Sequence, residues 1–138
     1  MNGSNGMVAR WSSWAPQLKS LLRIVAALMF ITAGTMKVLA FPTGVPPNGD
    51  TVPVMSQPWI GGMLEMVGGG LLLLGLFTRP VAFVLAGEMA VAYFQFLFPQ
   101  SFWPTVNNGV PAVLYCFLWL YFSAAGAGPW SLDAKRGK

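Results

Sequence analysis

The sequence predicts an all-α membrane protein, built as a bundle of four transmembrane helices. The first observation is composition: the 138 residues are 55% hydrophobic and 9% charged, whereas soluble domains carry about 25% charged residues. The second is that the apolar residues gather in segments of roughly 18 to 21 residues, which suit helices across a ~30 Å hydrocarbon core. These segments are 21–41, 59–77, 80–98 and 110–127.

The first segment, 21–41, follows an N-terminal stretch, 1–20, which we expect to lie at the cytoplasmic surface of the membrane. A cleaved signal peptide is the alternative for this segment, because Val38-Leu39-Ala40 resembles a cleavage site. The connection 42–58 is rich in proline and glycine, and it predicts a cap over the bundle rather than a helix.

The second and third segments are joined by Thr78 and Arg79 alone. So short a connection makes their helices antiparallel neighbours, and Pro80 stands at the start of a helix, where proline is tolerated. The fourth segment follows a turn signal at 107–109 and leads into a tail, 128–138.

The basic residues predict the orientation. Lysine and arginine occur around the start of the first segment, at Arg79 and in the tail 128–138, but not in the connections 42–58 and 99–109. Both termini and Arg79 are therefore predicted to be cytoplasmic. Tryptophans fit aromatic belts at the two interfaces. They are Trp59 and Trp103 on the outside and Trp11, Trp14 and Trp130 on the inside.

The scarcity of cysteine and the lack of histidine exclude several kinds of catalytic and metal site. The chain has one cysteine, Cys116, and no histidine. A disulfide framework, a CxxC redox pair and a cysteine zinc site are excluded, and the commonest general base and metal ligand is absent. We expect no metal site. The net charge of +4 is spread too thinly to indicate a nucleic-acid partner, and the lipid bilayer is the expected partner.

Four ionisable side chains, Arg23, Lys37, Glu65 and Glu88, lie within the predicted helices. Such residues are costly in lipid and are functional candidates by default. Lys37 and Glu65 lie ~6 and ~9 Å from the outer ends of their helices, so we expect them to pair. Glu88 lies near the midplane with no cation at its depth. Arg23 lies near the inner end, where it can reach upward or snorkel to the interface.

Two interpretations of these charges stay open. In the first, the pairs only fix helix register, since buried ion pairs are weak evidence for stability. In the second, they form a polar pocket for a quinone head group, a proton or a small anion. Gln95 would belong to this pocket, because it lies two helical turns after Glu88 on the same side.

Glycines surround Glu65 at helical spacing. Glycine lets a second helix backbone approach closely, so Glu65 is expected to face a helix contact rather than lipid. The predicted packing glycines are Gly61, Gly62, Gly68 and Gly69 around Glu65, and Gly34 in the first segment. In the fourth segment, the aromatic side chains are expected to form lipid-facing and packing surface. They are Tyr115, Phe117, Trp119, Tyr121 and Phe122.

Six motifs in a fixed order carry a resemblance to a known family. They are LLRIVAAL (21–28), GTMKVL (34–39), EMVGGGLLLLGLFTRPVAF (65–83), GEMAVAYF (87–94), SFWPTVNNG (101–109) and GPWSLDA (128–134). Together they resemble the DoxX family of four-helix proteins of the bacterial inner membrane. Relatives are linked to thiosulfate:quinone oxidoreductase as membrane subunits.

The resemblance implies a multi-pass, redox-linked subunit that binds a quinone or a partner oxidoreductase. Arg23, Lys37, Glu65, Arg79 and Glu88 fall at positions that are characteristically polar in the family. Any catalysis needs a quinone or a partner, because the chain has no electron carrier of its own. The alternatives are a non-enzymatic scaffold of a membrane complex and a pathway for a small solute or protons, which would need a homo-oligomer.

The chain departs from the family pattern at three places. Relatives often carry Glu-His where this chain has Thr32 and Ala33, a histidine where it has Leu97, and an acidic residue where it has Val110. The missing histidines argue against metal, haem or histidine-dependent proton chemistry in this chain.

We predict that a reporter active only in the periplasm gives no signal when it is fused after Lys138. The basic residues near both termini keep those ends in the cytoplasm. The measurement is reporter activity in intact cells, and activity of this fusion would contradict the orientation.

Overall fold

The computed structural model describes residues 3–46 and 48–137, and all regular elements within these ranges are helices. This confirms the all-α prediction. Lys138, one of the basic residues used to predict orientation, lies outside the described residues. The elements in chain order are α1 (Gly3–Ser12), α2 (Ala15–Leu39), α3 (Gln57–Leu74), α4 (Thr78–Ala92), a π-helical segment (Tyr93–Leu97), α5 (Pro104–Asn107), α6 (Val110–Ala125) and α7 (Leu132–Lys135).

Two helical stretches are long and apolar enough to cross a membrane, namely Ala15–Leu39 and Thr78–Leu97. Helix α6 is apolar but shorter, and α3 has 18 residues. Helix α2 begins before the predicted residue 21, because proline in its first turn starts the helix at Ala15. It therefore takes in part of the stretch that was expected to lie on the membrane surface.

Helices α3 and α4 are joined by a tight turn, 75–77. Gly75 ends α3 at φ 69°, a left-handed conformation that glycine adopts without strain. Phe77 adopts the same region at φ 53° before α4 begins at Thr78. We call the end of the bundle that holds this turn the turn end. The opposite end, which holds the connection 40–56, is the loop end.

The predicted third helix, 80–98, changes geometry before it ends. From Tyr93 the backbone hydrogen bonds join residues five apart, as in a π-helix. The Phe98 amide, for example, donates to the Tyr93 carbonyl at 2.7 Å. One inserted residue of this kind rotates the side chains beyond it. The described residues of the connection, 40–46 and 48–56, contain no helix, as predicted for this connection, and the Val52 amide donates to the Lys37 carbonyl at 2.9 Å.

The helices pack chiefly as two pairs, α2 with α3 and α4 with α6, and α3 also contacts α4. Glycines make the first pair close: a Cβ on Gly34 would lie 2.5 Å from the Gly62 carbonyl oxygen. A Cβ on Gly69 would likewise meet Ile31 of α2 at 2.7 Å. Gly68 instead faces Leu85 of α4 at 2.9 Å, so the glycines around Glu65 serve two neighbouring helices.

The centre of the bundle is aromatic. Phe30 of α2 meets Trp119 of α6 edge to face, with ring centroids 5.5 Å apart. Trp119 and Phe122 are fully buried, so they supply the packing part of the surface that was expected from this run of aromatics. They lie three positions apart and share the face of α6 that packs against the core. Phe117 and Tyr121, on other faces, are exposed as expected.

We predict that Gly34→Ala destabilises the protein by about 1–3 kcal/mol, the typical effect of overpacking. The added methyl group would press on the Gly62 carbonyl and force α2 away from α3. The matched control is Gly70→Ala, since a Cβ there meets nothing within 4 Å. Thermal unfolding in detergent compares the two, and equal stability of both variants would contradict the close packing.

Candidate functional site

A pocket of about 580 Å³ opens between α3 and α4 on the loop-end side of the bundle. We call it the α3–α4 pocket. Most of its wall is apolar, and its polar groups come from Lys37, Gln57 and Glu88. The apolar wall includes Ile60, Leu64, Val84, Val91, Phe96 and Leu97. Two glycines, Gly61 and Gly87, also line it and leave room where side chains would stand.

Lys37 and Glu65 form the predicted ion pair beside this pocket. The Lys37 ammonium contacts both carboxylate oxygens of Glu65, at 2.8 and 3.1 Å. The Glu65 side chain is 1% exposed, whereas that of Lys37 is 30% exposed. Glu65 is therefore held in the helix contact, and Lys37 is the member of the pair that lines the pocket.

Glu88 lies closer to other charges than the sequence suggested. Its Oε2 atom lies 3.1 Å from the position of a Cβ on Gly61, and the Glu65 Oε2 atom lies 3.8 Å from the same point. The carboxylates of Glu88 and Glu65 therefore lie close together beside Gly61. The Lys37 ammonium is near enough to interact electrostatically with Glu88. The expectation that Glu88 has no cation near its depth is wrong, because Lys37 lines the same pocket and interacts with it electrostatically. The Glu88 Oε1 atom is buried and has no hydrogen-bond partner among the described residues.

Gln95 does not line the pocket as expected. It is exposed, and its amide nitrogen donates to the Gln57 side-chain oxygen at 3.0 Å, while Gln57 donates in return. Gln95 lies in the π-helical segment, where side chains no longer follow the α-helical spacing that placed it above Glu88. The sequence spacing assumed an unbroken α-helix. Gln57, which the sequence did not single out, takes the place in the pocket wall.

Arg23 lies at the turn end, and it is fully buried rather than snorkelling. Its guanidinium donates to the carbonyls of Leu72 and Trp130, each at 2.7 Å, and to that of Ala127. Leu72 lies in the last turn of α3 and Ala127 just beyond α6. Carbonyls at helix C-termini carry partial negative charge and lack intrahelical partners. They offset the cost of burying the guanidinium, so this cation is structural.

Two further cations bind the C-terminal end of α6. The Lys19 ammonium donates to the Ala125 carbonyl at 2.9 Å, and the Arg79 guanidinium donates to the Ala124 carbonyl. Arg79 was predicted only as a residue of the cytoplasmic turn. Its hydrogen bond adds a structural role, since it ties the start of α4 to the end of α6.

Asp133 caps the first turn of α4 from the C-terminal segment. Its carboxylate accepts hydrogen bonds from the backbone amides of Phe77 and Thr78, each at 2.9 Å. Its own amide donates to the Gly75 carbonyl at 2.9 Å. Burial raises the pKa of Asp133, but the amides of Thr78 and Phe77, the Thr78 hydroxyl and the nearby Arg136 outweigh it and hold the pKa below its usual value.

Sequence reasoning missed Asp133 and underrated Asn107. The one signal for Asp133 was an acidic residue within a basic tail. The sequence predicts Asn107 only as a turn residue, yet it is 3% exposed. Its amide donates to the carbonyls of Ser101 and Leu97 at 2.8 and 3.2 Å, and its oxygen accepts from the Gly109 amide at 2.8 Å. It therefore holds together the connection between the π-helical segment and α6.

We predict that Asp133→Asn lowers stability at pH 7 by about 0.5–2 kcal/mol, the usual effect of losing a helix cap. Because the folded state lowers the pKa of Asp133, its contribution is complete above the ordinary value of about 4 and is lost as pH falls below it. Thermal unfolding at pH 7 and at acid pH should show the difference between wild type and variant shrinking. The control is Asp50→Asn in the exposed connection, and a pH-independent difference would contradict the cap.

Comparison with known proteins places the chain in a family. The family model described as DoxX matches residues 18–98. An uncharacterized protein of Haemophilus influenzae is 44% identical over 128 residues, covering 88% of this chain and 92% of the relative. No solved structure matches the chain. The family match and the apolar helices together indicate a membrane protein, and the chain belongs to the DoxX family.

Proposed function

We propose that the chain crosses the bacterial inner membrane four times, with both termini in the cytoplasm, and acts as a redox-linked subunit whose α3–α4 pocket binds a quinone. The four spans would be α2, α3, α4 with its π-helical segment, and α6. Their outward faces support this, because large apolar side chains are exposed along them. Examples are Met29, Val67, Phe83, Leu114 and Phe117, each at least 60% exposed.

The orientation is supported by where the cations lie. Lys19, Arg23 and Arg79 all bind backbone at the turn end. Arginine and lysine are enriched on the cytoplasmic side of membrane proteins, so the turn end would face the cytoplasm. The α3–α4 pocket would then lie in the outer half of the bilayer.

The observation that carries the quinone proposal is the make-up of this pocket. Small-molecule sites are typically 300–1,000 Å³, mostly apolar, with a few convergent polar groups. The α3–α4 pocket has a volume of about 580 Å³, apolar walls, and Lys37 and Glu88 on the side next to Glu65. A quinone head group combines a flat apolar ring with two carbonyl acceptors, and this combination matches the lining.

The residues of the chain would orient the head group and hold a proton. The partly exposed Lys37 ammonium can donate to a carbonyl oxygen while it stays paired with Glu65. The Glu88 Oε1 atom has no partner within the described part of the chain, so a protonated Glu88 can donate to the same ligand. A bound quinone would supply the redox chemistry, and a partner oxidoreductase would exchange electrons with it.

The scaffold alternative is less well supported by the packing. A scaffold needs a face that docks another protein, and a stripe of glycines is the one that the sequence offers. Gly34, Gly62, Gly68 and Gly69 instead contact helices of the same chain. Gly70 has open space beside it, but a single glycine is too small a surface to define a partner site. The proposed partner oxidoreductase would therefore dock through some other surface.

We predict that Gly87→Phe abolishes quinone retention, because its ring would fill the pocket. The matched control is Gly70→Phe on α3: a Cβ at either glycine meets nothing within 4 Å, but Gly87 lines the pocket. The measurement is quinone content of the purified protein relative to lipid, with the unfolding temperature confirming that both variants fold. Equal quinone retention in the two variants, or none in the wild type after added quinone, would contradict the proposal.

We predict that Glu88→Leu weakens quinone binding by roughly fivefold, as expected for the loss of one hydrogen bond of about 1 kcal/mol. Leucine can neither donate a hydrogen bond nor supply a proton, so any pH dependence of binding that stems from Glu88 should also disappear. Titration of the purified protein with a soluble quinone at several pH values measures both effects. Unchanged affinity and pH dependence would mean that Glu88 does not touch the ligand.

A further inference from the structure

A second pocket, of about 190 Å³, lies at the turn end. It is lined by Phe77, Thr78 and Arg79 at the start of α4, by Gly126 after α6, and by Asp133 and Arg136 of the C-terminal segment. We call it the arginine pocket. We propose that it binds a phosphate group, supplied by the head group of an anionic lipid in the leaflet next to the turn end.

The two arginines of this pocket come from different parts of the chain and are both held in place. Arg79 donates to the Ala124 carbonyl and packs beside Gly126. Arg136 lies over the Phe77 ring, with its guanidinium carbon 4.7 Å from the ring centroid. Guanidinium groups present several N–H donors in a planar fork, which matches the oxygens of a phosphate. Because both are fixed, little side-chain freedom is lost on binding.

The carboxylate in the pocket does not cancel this charge. Both oxygens of Asp133 are occupied by the backbone amides of Phe77 and Thr78, and Arg136 lies 3.9 Å from one of them. The two guanidinium groups therefore leave a net positive charge in the cavity. The α4 amides are already used by Asp133, so the proposal depends on the arginines and not on the helix N-terminus.

A buried hydroxyl also lines the cavity. Thr78 is fully buried and belongs to the pocket wall. Its Oγ1 atom makes no well-aligned hydrogen bond within the described residues, although it lies close enough to the Asp133 carboxylate to lower the pKa of that group. Buried hydroxyls are nearly always hydrogen-bonded, and a phosphate oxygen in the cavity would offer this one an acceptor with better geometry.

The position of the pocket favours a lipid as the source of the phosphate. Exposed aromatic side chains, Trp14, Trp130 and Phe77, belong to the same end of the bundle, and such residues mark the head-group depth of a membrane. Under the proposed orientation this end meets the cytoplasmic leaflet, whose anionic lipids attract basic clusters. The site is separate from the α3–α4 pocket, so its test does not depend on quinone binding.

The experiment compares Arg136→Gln with Lys135→Gln. Both remove one positive charge from neighbouring exposed positions, but only Arg136 lines the pocket. The full-length protein in neutral detergent is titrated with phosphatidylglycerol or phosphatidylcholine, and bound lipid is counted by native mass spectrometry. We expect phosphatidylglycerol to bind more tightly than phosphatidylcholine. Arg136→Gln should weaken that binding on the order of tenfold, as for loss of a charge-assisted hydrogen bond, and Lys135→Gln by less than about twofold.

Inorganic phosphate tests the other source. If added phosphate, at matched ionic strength, raises the unfolding temperature of wild type and Lys135→Gln but not of Arg136→Gln, the site takes phosphate itself and the lipid is not required. Two results would overturn the proposal. One is an equal loss of phosphatidylglycerol binding in both variants, which would mean that the lipid binds through general surface charge and not in the pocket. The other is no preference for phosphatidylglycerol together with no effect of phosphate. Unfolding temperatures without ligand check that both variants fold.

Discussion

The structure of the turn end depends on one buried charge. Arg23 donates hydrogen bonds to carbonyls of three segments, α3, the residues after α6, and the C-terminal segment. A buried guanidinium without partners is strongly unfavourable, so the chain can bury Arg23 only when all three segments are present together. The Leu72 carbonyl also accepts from the Gly75 amide at 3.1 Å, so Arg23 binds α3 at the point where the helix ends. One side chain thus makes the packing of separate helices mutually dependent.

The two ends of the bundle use charge differently. At the turn end, charged side chains bind backbone groups at helix termini, where free N–H and C=O groups carry partial charge. These side chains are Lys19, Arg23, Arg79 and Asp133. At the loop end, Lys37, Glu65 and Glu88 interact with one another beside an open pocket. Charges that bind backbone fix the architecture, whereas charges that bind each other and leave an atom unpartnered provide groups for a ligand. The quinone proposal follows from this division, whereas the arginine pocket at the turn end combines Arg79, which binds backbone, with Arg136, which does not.

Much of the helical architecture could be predicted from the sequence, because long apolar runs need helices in lipid. The Lys37–Glu65 pair followed from depth, and the contacts at Gly34 and Gly62 from glycine spacing. The approach of Glu88 to Glu65 could not be predicted, since it depends on how helices rotate against each other. Arg23 and Asp133 form their hydrogen bonds with backbone groups. Every residue has such groups, so the sequence does not show which of them are the partners. Helix α6 is apolar on every side, so nothing in its sequence marked Trp119 as the buried face.

The cap on α4 has a consequence for the order in which the chain matures. The turn at Gly75–Phe77 is synthesised well before Asp133, which accepts the hydrogen bonds of its amides. Until the residues around Asp133 leave the ribosome, these amides and the carbonyl of Gly75 have no partners from that segment. The α3–α4 hairpin therefore enters the bilayer with an open cytoplasmic end under the proposed orientation. Synthesis of the residues around Asp133 supplies the segment that closes it.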